Sequence, residues 1–192
     1  MNSLLNIEEH PLEPFLPANA VLLMLGSFPP QKKRWAWISS TLTCKMICGV
    51  SSDLFFFQDK EHFLNPEKKV FDKDRIIEFL NDKGIALYDT ASAIRRLQDN
   101  ASDKFLEVIE QTDISLLLKQ IPMCKAIVTT GQKATDIIRE QIEVKEPTVG
   151  TSEPFEFGDK AMKLYRMPSS SRAYPFGPWK KKLQLIGSCS TN

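Results

Sequence analysis

The chain has no long hydrophobic run. None of its apolar segments approaches the about 18 residues that a membrane-spanning helix needs. The N-terminal region is acidic at Glu8 and Glu9 where a signal peptide would be basic. We therefore expect a cytoplasmic protein that makes no contact with a membrane.

Potential metal ligands are also scarce, because the 192 residues include only four cysteines and two histidines. Cys44 and Cys48 are close in sequence, but neither histidine stands beside them in a zinc-binding pattern. The spacing of the four cysteines matches no iron–sulfur motif. We expect reduced thiols, no metal and no cofactor.

An excess of charge of one sign is absent as well, since the net charge is only +1. With 42% hydrophobic and 26% charged residues, the composition is that of one globular domain over residues 1–192. The basic residues are nevertheless grouped in sequence, and the groups either form one phosphate-contacting face or belong to separate surfaces. They are Lys32-Lys33-Arg34, Arg95-Arg96, Arg166 with Arg172, and Lys180-Lys181-Lys182.

Apolar runs alternate with helical patterns along the chain. Continuous apolar runs predict strands buried on both faces at 20–25, 85–88, 126–130 and 161–167. Helices are predicted from Asp72 to Gly84, over 104–110 with Ser102 as cap, after Thr112 or Asp113, and from Gly131 to Ile142. This order predicts a three-layer α/β/α sandwich around a mostly parallel, four-stranded central sheet.

Ligands of such sheets bind beyond the carboxyl ends of the strands, which places segments 26–30, 89–92, 130–133 and 168–175 at one edge. The loop over 165–175 is the most polar of them, with three serines, two arginines and a proline towards each end. Hydroxyl, guanidinium and backbone N–H donors suit phosphate oxygens. The alternative interpretation is an ordinary polar turn after a core strand.

Two of these segments carry a family resemblance. Leu25-Gly26-Ser27-Phe28-Pro29-Pro30 and Met167-Pro168-Ser169-Ser170-Ser171 resemble the two active-site motifs of the uracil-DNA glycosylase superfamily. Thr130-Gly131-Gln132-Lys133-Ala134 is similar to its third strand-to-helix turn. Asp89, followed by Arg95, Arg96 and Asn100-Ala101-Ser102-Asp103, is similar to the second-strand loop of the mismatch-specific and hypoxanthine-type branches.

The resemblance implies a monomeric enzyme that flips uracil or a related base out of a damaged or mismatched DNA duplex and hydrolyses its N-glycosidic bond. It places Gly26, Ser27, Phe28 and Pro29 in the base pocket, although Phe28 also suits the core and Pro29-Pro30 a stiff turn. It assigns DNA binding to a second group of residues, namely Pro168, Ser169, Ser170, Ser171 and Arg172.

The segment over residues 36–54 departs from this pattern. In the similar branch, a segment resembling Tyr-Pro-Asn-x-x-Asn-x-x-Trp follows the first motif and its Asn handles the water or reads the base, but no Asn is present here. The codons of Trp37-Ile38 and of Met46-Ile47 each contain an overlapping codon for Asp. Permitted codon choices in that displaced frame encode Met-Asp-Phe-Phe-Tyr-Pro-Asn-Leu-Gln-Asn-Asp-Met-Trp-Arg-Ile-Phe-Gly. Our hypothesis is that residues 36–54 are translated from a shifted frame bounded by two compensating indels.

Without that Asn, the catalytic residue is unassigned, and the remaining candidates to position a water are Asp89 and Asp103. Helix-end preferences favour structural roles for both, Asp89 as a helix cap and Asp103 as a first-turn charge. Two other functions stay open. One is a DNA-binding member of the same fold without catalysis, and the other is an unrelated nucleotide- or phosphate-binding α/β protein.

Overall fold

The computed structural model describes residues 7–31, 63–65, 70–98 and 105–169. The strands are β1 (Ile7–Glu9), β2 (Leu22–Gly26), β3 (Leu64–Asn65), β4 (Val70–Phe71), β5 (Ile85–Asp89), β6 (Ala91–Arg96), β7 (Leu106–Gln111), β8 (Ala126–Thr130), β9 (Thr151–Phe157) and β10 (Lys160–Met167). The helices are α1 (Lys73–Lys83), α2 (Ile114–Gln120) and α3 (Gln132–Gln141).

The central sheet has the strand order β5-β2-β8-β10-β9. Its first four strands are parallel and are the four predicted from the apolar runs, whereas β9 pairs antiparallel with β10. The sheet therefore has five strands and not four. The sequence hides β9 because Pro154 and two glutamates interrupt its apolar pattern, and proline is tolerated on an edge strand, where its missing N–H leaves no gap in the ladder.

Both faces of this sheet are covered, as the unbroken apolar runs predict. Along β2, Leu23 and Leu25 pack with side chains of α2 and α3, while Met24 packs on the opposite face with Ile76 and Leu80 of α1. Side chains alternate between the faces of a strand, so a strand between two helical layers must be apolar at every position. The helices thus form layers on both sides of the sheet.

The predicted caps of α1 and α2 are confirmed. The Asp72 carboxylate accepts a hydrogen bond from the Arg75 amide at 3.2 Å, and Gly84 ends α1 with φ of 61°. A side chain at Gly84 would also place its Cβ 2.6 Å from a backbone oxygen, so glycine is required there for two reasons. Asp113 caps α2 by accepting from the Leu116 amide at 3.1 Å.

The predicted helix over 104–110 is wrong. Residues Leu106–Gln111 form strand β7, which pairs antiparallel with β6, and β6 pairs on its other side with β1. Strand pairing overrides local helix propensity here, because Leu106 and Val108 alternate with glutamates and pack towards Phe28 and Ile94. Ser102, the proposed cap, lies outside the described residues.

In the part of the chain that the structure describes, no helix is long and apolar enough to cross a membrane.

Candidate functional site at the carboxyl edge of the sheet

The carboxyl ends of four parallel strands meet at one edge of the central sheet. Gly26 stands in register with Asp89, and Met167 with Thr130. The Thr130 hydroxyl donates to the Leu25 carbonyl at 3.4 Å, which links the ends of β8 and β2. The chain segments that follow these four strands therefore share one edge, as the parallel topology predicts.

The turn formed by residues 26–30 is anchored through its backbone to the chain after β5. Thr90 donates twice to the Gly26 carbonyl, from its amide at 2.9 Å and from its hydroxyl at 3.1 Å. The Ala91 amide donates to the Ser27 carbonyl at 3.2 Å. These bonds fix the path of the turn without using its side chains.

Phe28 is buried in a small core that lies between the 26–30 turn and the antiparallel sheet. It packs with Ile94 of β6 and Leu106 of β7, and the Arg96 guanidinium lies over its ring, 5.7 Å from the centroid. Of the two interpretations of Phe28, this position matches a core residue that supports the turn from behind.

The second motif reaches the same edge next to α3. The Gly131 amide donates to the Met167 carbonyl at 3.0 Å, and a Cβ on Gly131 would lie 3.5 Å from Ser169. Gly131 has φ of 89°, a conformation that glycine adopts readily, and this allows β8 to turn sharply into α3. Pro168 is buried and Ser169 is half-buried beside this turn. Ser170, Ser171 and Arg172 lie outside the described residues.

Asp89 is not a helix cap, contrary to the role that helix-end preferences favour, because strand β6 follows it directly. Its side chain is buried, and its Oδ2 atom lies 2.9 Å from Nε2 of His10. Burial raises the pKa of Asp89, while hydrogen bonds from His10 and from the Gly26 amide oppose that rise. A carboxyl group engaged in this way braces the turn and does not face solvent water. Asp103 lies outside the described residues.

His10 and Glu8 are site residues that sequence reasoning missed, and Arg96 is indicated by the sequence only as part of a basic cluster and of the loop after Asp89. Arg96 donates from Nε to both carboxylate oxygens of Glu8, at 2.9 and 3.0 Å, and from Nη2 to the Pro29 carbonyl at 2.6 Å. The only available signal was an arginine and a histidine in segments of strand-like length. Their convergence depends on β1 pairing with β6, which no local pattern predicts.

The arginines of the described basic clusters are paired with carboxylates. Arg166 donates to Glu146 at 2.7 Å and also contacts the Gln132 side chain. The pKa of Glu146 is lowered, chiefly by a hydrogen bond from Gln132 and further by the charge of Arg166. Arg95 pairs with Glu107 at the surface. Arg166 is therefore a structural brace in this arrangement rather than a free phosphate ligand. The clusters at 32–34 and 180–182 lie outside the described residues.

Among the described residues, no group of three or more histidine, cysteine, aspartate or glutamate side chains is arranged to hold a metal ion. Cys124 is buried, and burial raises the pKa of its thiol to about 11. It is therefore a protonated core residue at neutral pH. Cys44, Cys48 and Cys189 lie outside the described residues.

Comparison with known proteins gives a likeness among solved structures. No family model matches the chain, and no curated protein matches it. Among solved structures, the chain is similar to a solution NMR structure of "a putative Uracil DNA glycosylase" from Methanosarcina acetivorans. The two are 18% identical, the match covers 86% of each chain, and the TM-score is 0.47.

Proposed function

We propose that this chain has the fold and DNA-binding loops of a base-excision glycosylase of the uracil-DNA glycosylase superfamily. We further propose that its altered segment 36–54 leaves it with little excision activity. Its substrate would be a duplex that carries uracil or a related damaged base. One observation carries the proposal, namely that the two segments resembling the active-site motifs lie at the same edge of the sheet.

The arrangement of these segments supports the proposal. The 26–30 turn follows β2, and Pro168 and Ser169 follow β10, so that only β8 and its Gly131 turn separate them. A flipped base and its flanking phosphates must be held at the same time, which requires a pocket and a phosphate-binding loop side by side. The two motifs would perform these tasks from the two strands that flank β8.

No residue of this arrangement is assigned to catalysis. Hydrolysis of an N-glycosidic bond needs a positioned water and stabilisation of the departing base. The Asn expected for this task is absent from segment 36–54, and Asp89 is committed to His10 and Gly26. We therefore expect the chain to retain DNA binding better than excision.

The test compares this chain with a restored variant. In the variant, residues 36–54 are replaced by the peptide that the displaced frame encodes. Both proteins are incubated with labelled duplexes containing one uracil, one hypoxanthine or one mismatched thymine, with undamaged duplex as the control. Alkaline strand scission measures excision, and binding is measured over a range of salt concentrations.

The expected result is salt-dependent binding by both proteins and efficient excision by the restored variant alone. Robust excision by the unaltered chain would contradict the impairment. If neither protein binds any duplex at low salt, the remaining interpretation is an unrelated nucleotide- or phosphate-binding protein. The genomic codons test the frameshift itself, since codons incompatible with the displaced peptide would exclude it.

A second candidate is a DNA-binding protein without catalysis, which the missing Asn favours. Binding to damaged duplex by both proteins, with no excision even by the restored variant, would support it over the glycosylase.

A further inference from the structure

The imidazole of His10 is buried behind the 26–30 turn. It follows β1, and its side chain is 4% exposed. Its ring meets the edge of Phe28 at a centroid distance of 5.4 Å and lies against Tyr88 at 4.5 Å. A histidine so deep in the protein needs a partner for each ring nitrogen, because an unsatisfied buried polar group is costly.

Both ring nitrogens of His10 have partners inside the protein. Nδ1 lies 2.8 Å from the carbonyl oxygen of Leu12 and 3.3 Å from the Leu12 amide nitrogen, so it has a partner whether it donates or accepts. Nε2 lies 2.9 Å from Oδ2 of Asp89, a distance that requires a hydrogen bond between the two side chains. The imidazole is therefore held in place at both nitrogens.

The Asp89 carboxyl group connects His10 to the turn. The Gly26 amide donates to it, and a Cβ on Gly26 would lie only 2.3 Å from its Oδ1 atom. One oxygen of Asp89 therefore meets His10 while the other lies against the first residue of the turn. Gly26 permits this close approach because it has no side chain.

We propose that His10 is a positioning residue for the 26–30 turn. Through Asp89 it fixes the Gly26 backbone, and through its ring edge it fixes Phe28, so a segment near the N-terminus sets the shape of the base-binding turn. That the turn binds a base rests on the function proposed above. The positioning itself concerns the free protein and does not depend on that function.

The test uses the full chain, labelled with ¹⁵N, and three variants. His10→Phe keeps a ring but removes both nitrogens, His10→Gln returns an N–H donor towards Asp89, and Asp89→Asn keeps the carboxyl shape without the charge. Glu156→Gln is the control, because Glu156 is exposed on β9 at the other edge of the sheet. Amide chemical shifts of Gly26 and Ser27 report the turn, and ring ¹⁵N shifts report the protonation of His10.

We expect His10→Phe to shift the Gly26 and Ser27 amide signals and His10→Gln to return them part of the way to the wild-type positions. Asp89→Asn should leave these amides near their wild-type positions, because the asparagine side chain has both a donor and an acceptor and can hydrogen-bond Nε2 of His10 in either tautomer. The control should change neither set of signals.

Two results would overturn the proposal. One is a folded His10→Phe protein whose Gly26 and Ser27 signals match the wild type, and the other is a folded His10→Gln protein whose signals also match the wild type while those of Glu156→Gln shift. If His10→Phe does not fold, the Gly26 and Ser27 amide signals of His10→Gln and Asp89→Asn are compared with those of the wild type instead. Binding to uracil-containing duplex is measured in parallel. Loss of DNA binding in every protein, wild type included, counts against the proposed function alone.

Discussion

The Nη2 atom of Arg96 donates a hydrogen bond of 2.6 Å to the carbonyl oxygen of Pro29 inside the protein. The same guanidinium is paired with Glu8 and lies over the Phe28 ring. One side chain from the antiparallel sheet therefore holds the backbone and the aromatic ring of the 26–30 turn at once. The antiparallel sheet acts as a support for the turn at the edge of the main sheet.

Replacing Arg96 should destabilise the protein far more than replacing its neighbour Arg95. Arg96→Ala leaves the Pro29 carbonyl and the Glu8 carboxylate without their donor, so we expect a loss of about 2 to 3 kcal/mol in the free energy of unfolding. Arg95→Ala removes only an exposed pair with Glu107 and should lower it by about 0.5 kcal/mol or less. Urea unfolding measures both. Equal losses in the two variants would show that the buried contacts of Arg96 contribute little.

The close contact between Gly26 and Asp89 predicts energetic coupling between the two positions. Gly26→Ala brings a methyl group against Oδ1 of Asp89, so we expect a loss of about 1 to 3 kcal/mol. Asp89→Ala removes the obstructing atom, and the double variant should lose less than the sum of the two single losses. Gly158→Ala is the control, because no atom lies within 4 Å of its added Cβ and its loss comes from backbone conformation alone. Additive losses for Gly26 and Asp89 would contradict the contact.

The raised pKa of Asp89 predicts that its contribution to stability declines as pH rises. The native state keeps a proton that the unfolded state releases near pH 3.8, so unfolding becomes easier as pH rises through the native pKa. Two titratable side chains face Asp89. His10 is hydrogen-bonded to it, and Tyr88, whose pKa is raised above 10.0, stays protonated at neutral and acidic pH. The free energy of unfolding of the wild type, minus that of Asp89→Asn, should therefore fall as pH rises above the unfolded value of 3.8. An increase over this range would contradict the burial of Asp89.

Arg166 and Arg172 should differ in their effect on DNA binding if the proposed function holds. Arg166 is occupied by Glu146, so Arg166→Gln should leave the salt dependence of binding unchanged while lowering stability. Arg172→Gln removes a proposed phosphate contact and should reduce the slope of log K against log salt by about 1. Binding titrations at several salt concentrations measure both slopes. A reduced slope for Arg166→Gln would show that its pair with Glu146 opens to bind phosphate.

Unbroken apolar runs and helix caps predict the central sheet and its covering helices well. A strand such as β2, apolar at every position, fits only between two layers. Asp72, Gly84 and Asp113 act at the helix ends where they were predicted. The antiparallel sheet could not be predicted in this way. Leu106 and Val108 become strand residues only because β6 lies beside them.

The candidate site likewise has a part that the sequence predicts and a part that it does not. Its chain segments follow from the strand ends, because parallel topology brings Gly26, Asp89, Thr130 and Met167 to one edge. Its supporting contacts depend on long-range pairing, and no local pattern brings His10 to Asp89 or Arg96 to Pro29. The pairing of Arg166 with Glu146 is hidden for a similar reason, since the two residues are 20 positions apart in the chain.

The separation between these partners also affects the order of assembly. His10 and Asp89 are 79 positions apart in the chain, and Glu8 and Arg96 are 88 apart. Such distant contacts close large loops, so we expect them to form late, after the parallel strands have paired. Weakening them should speed unfolding much more than it slows folding. During synthesis, the 26–30 turn should acquire its final shape only after β6 has left the ribosome, long after the turn itself has emerged.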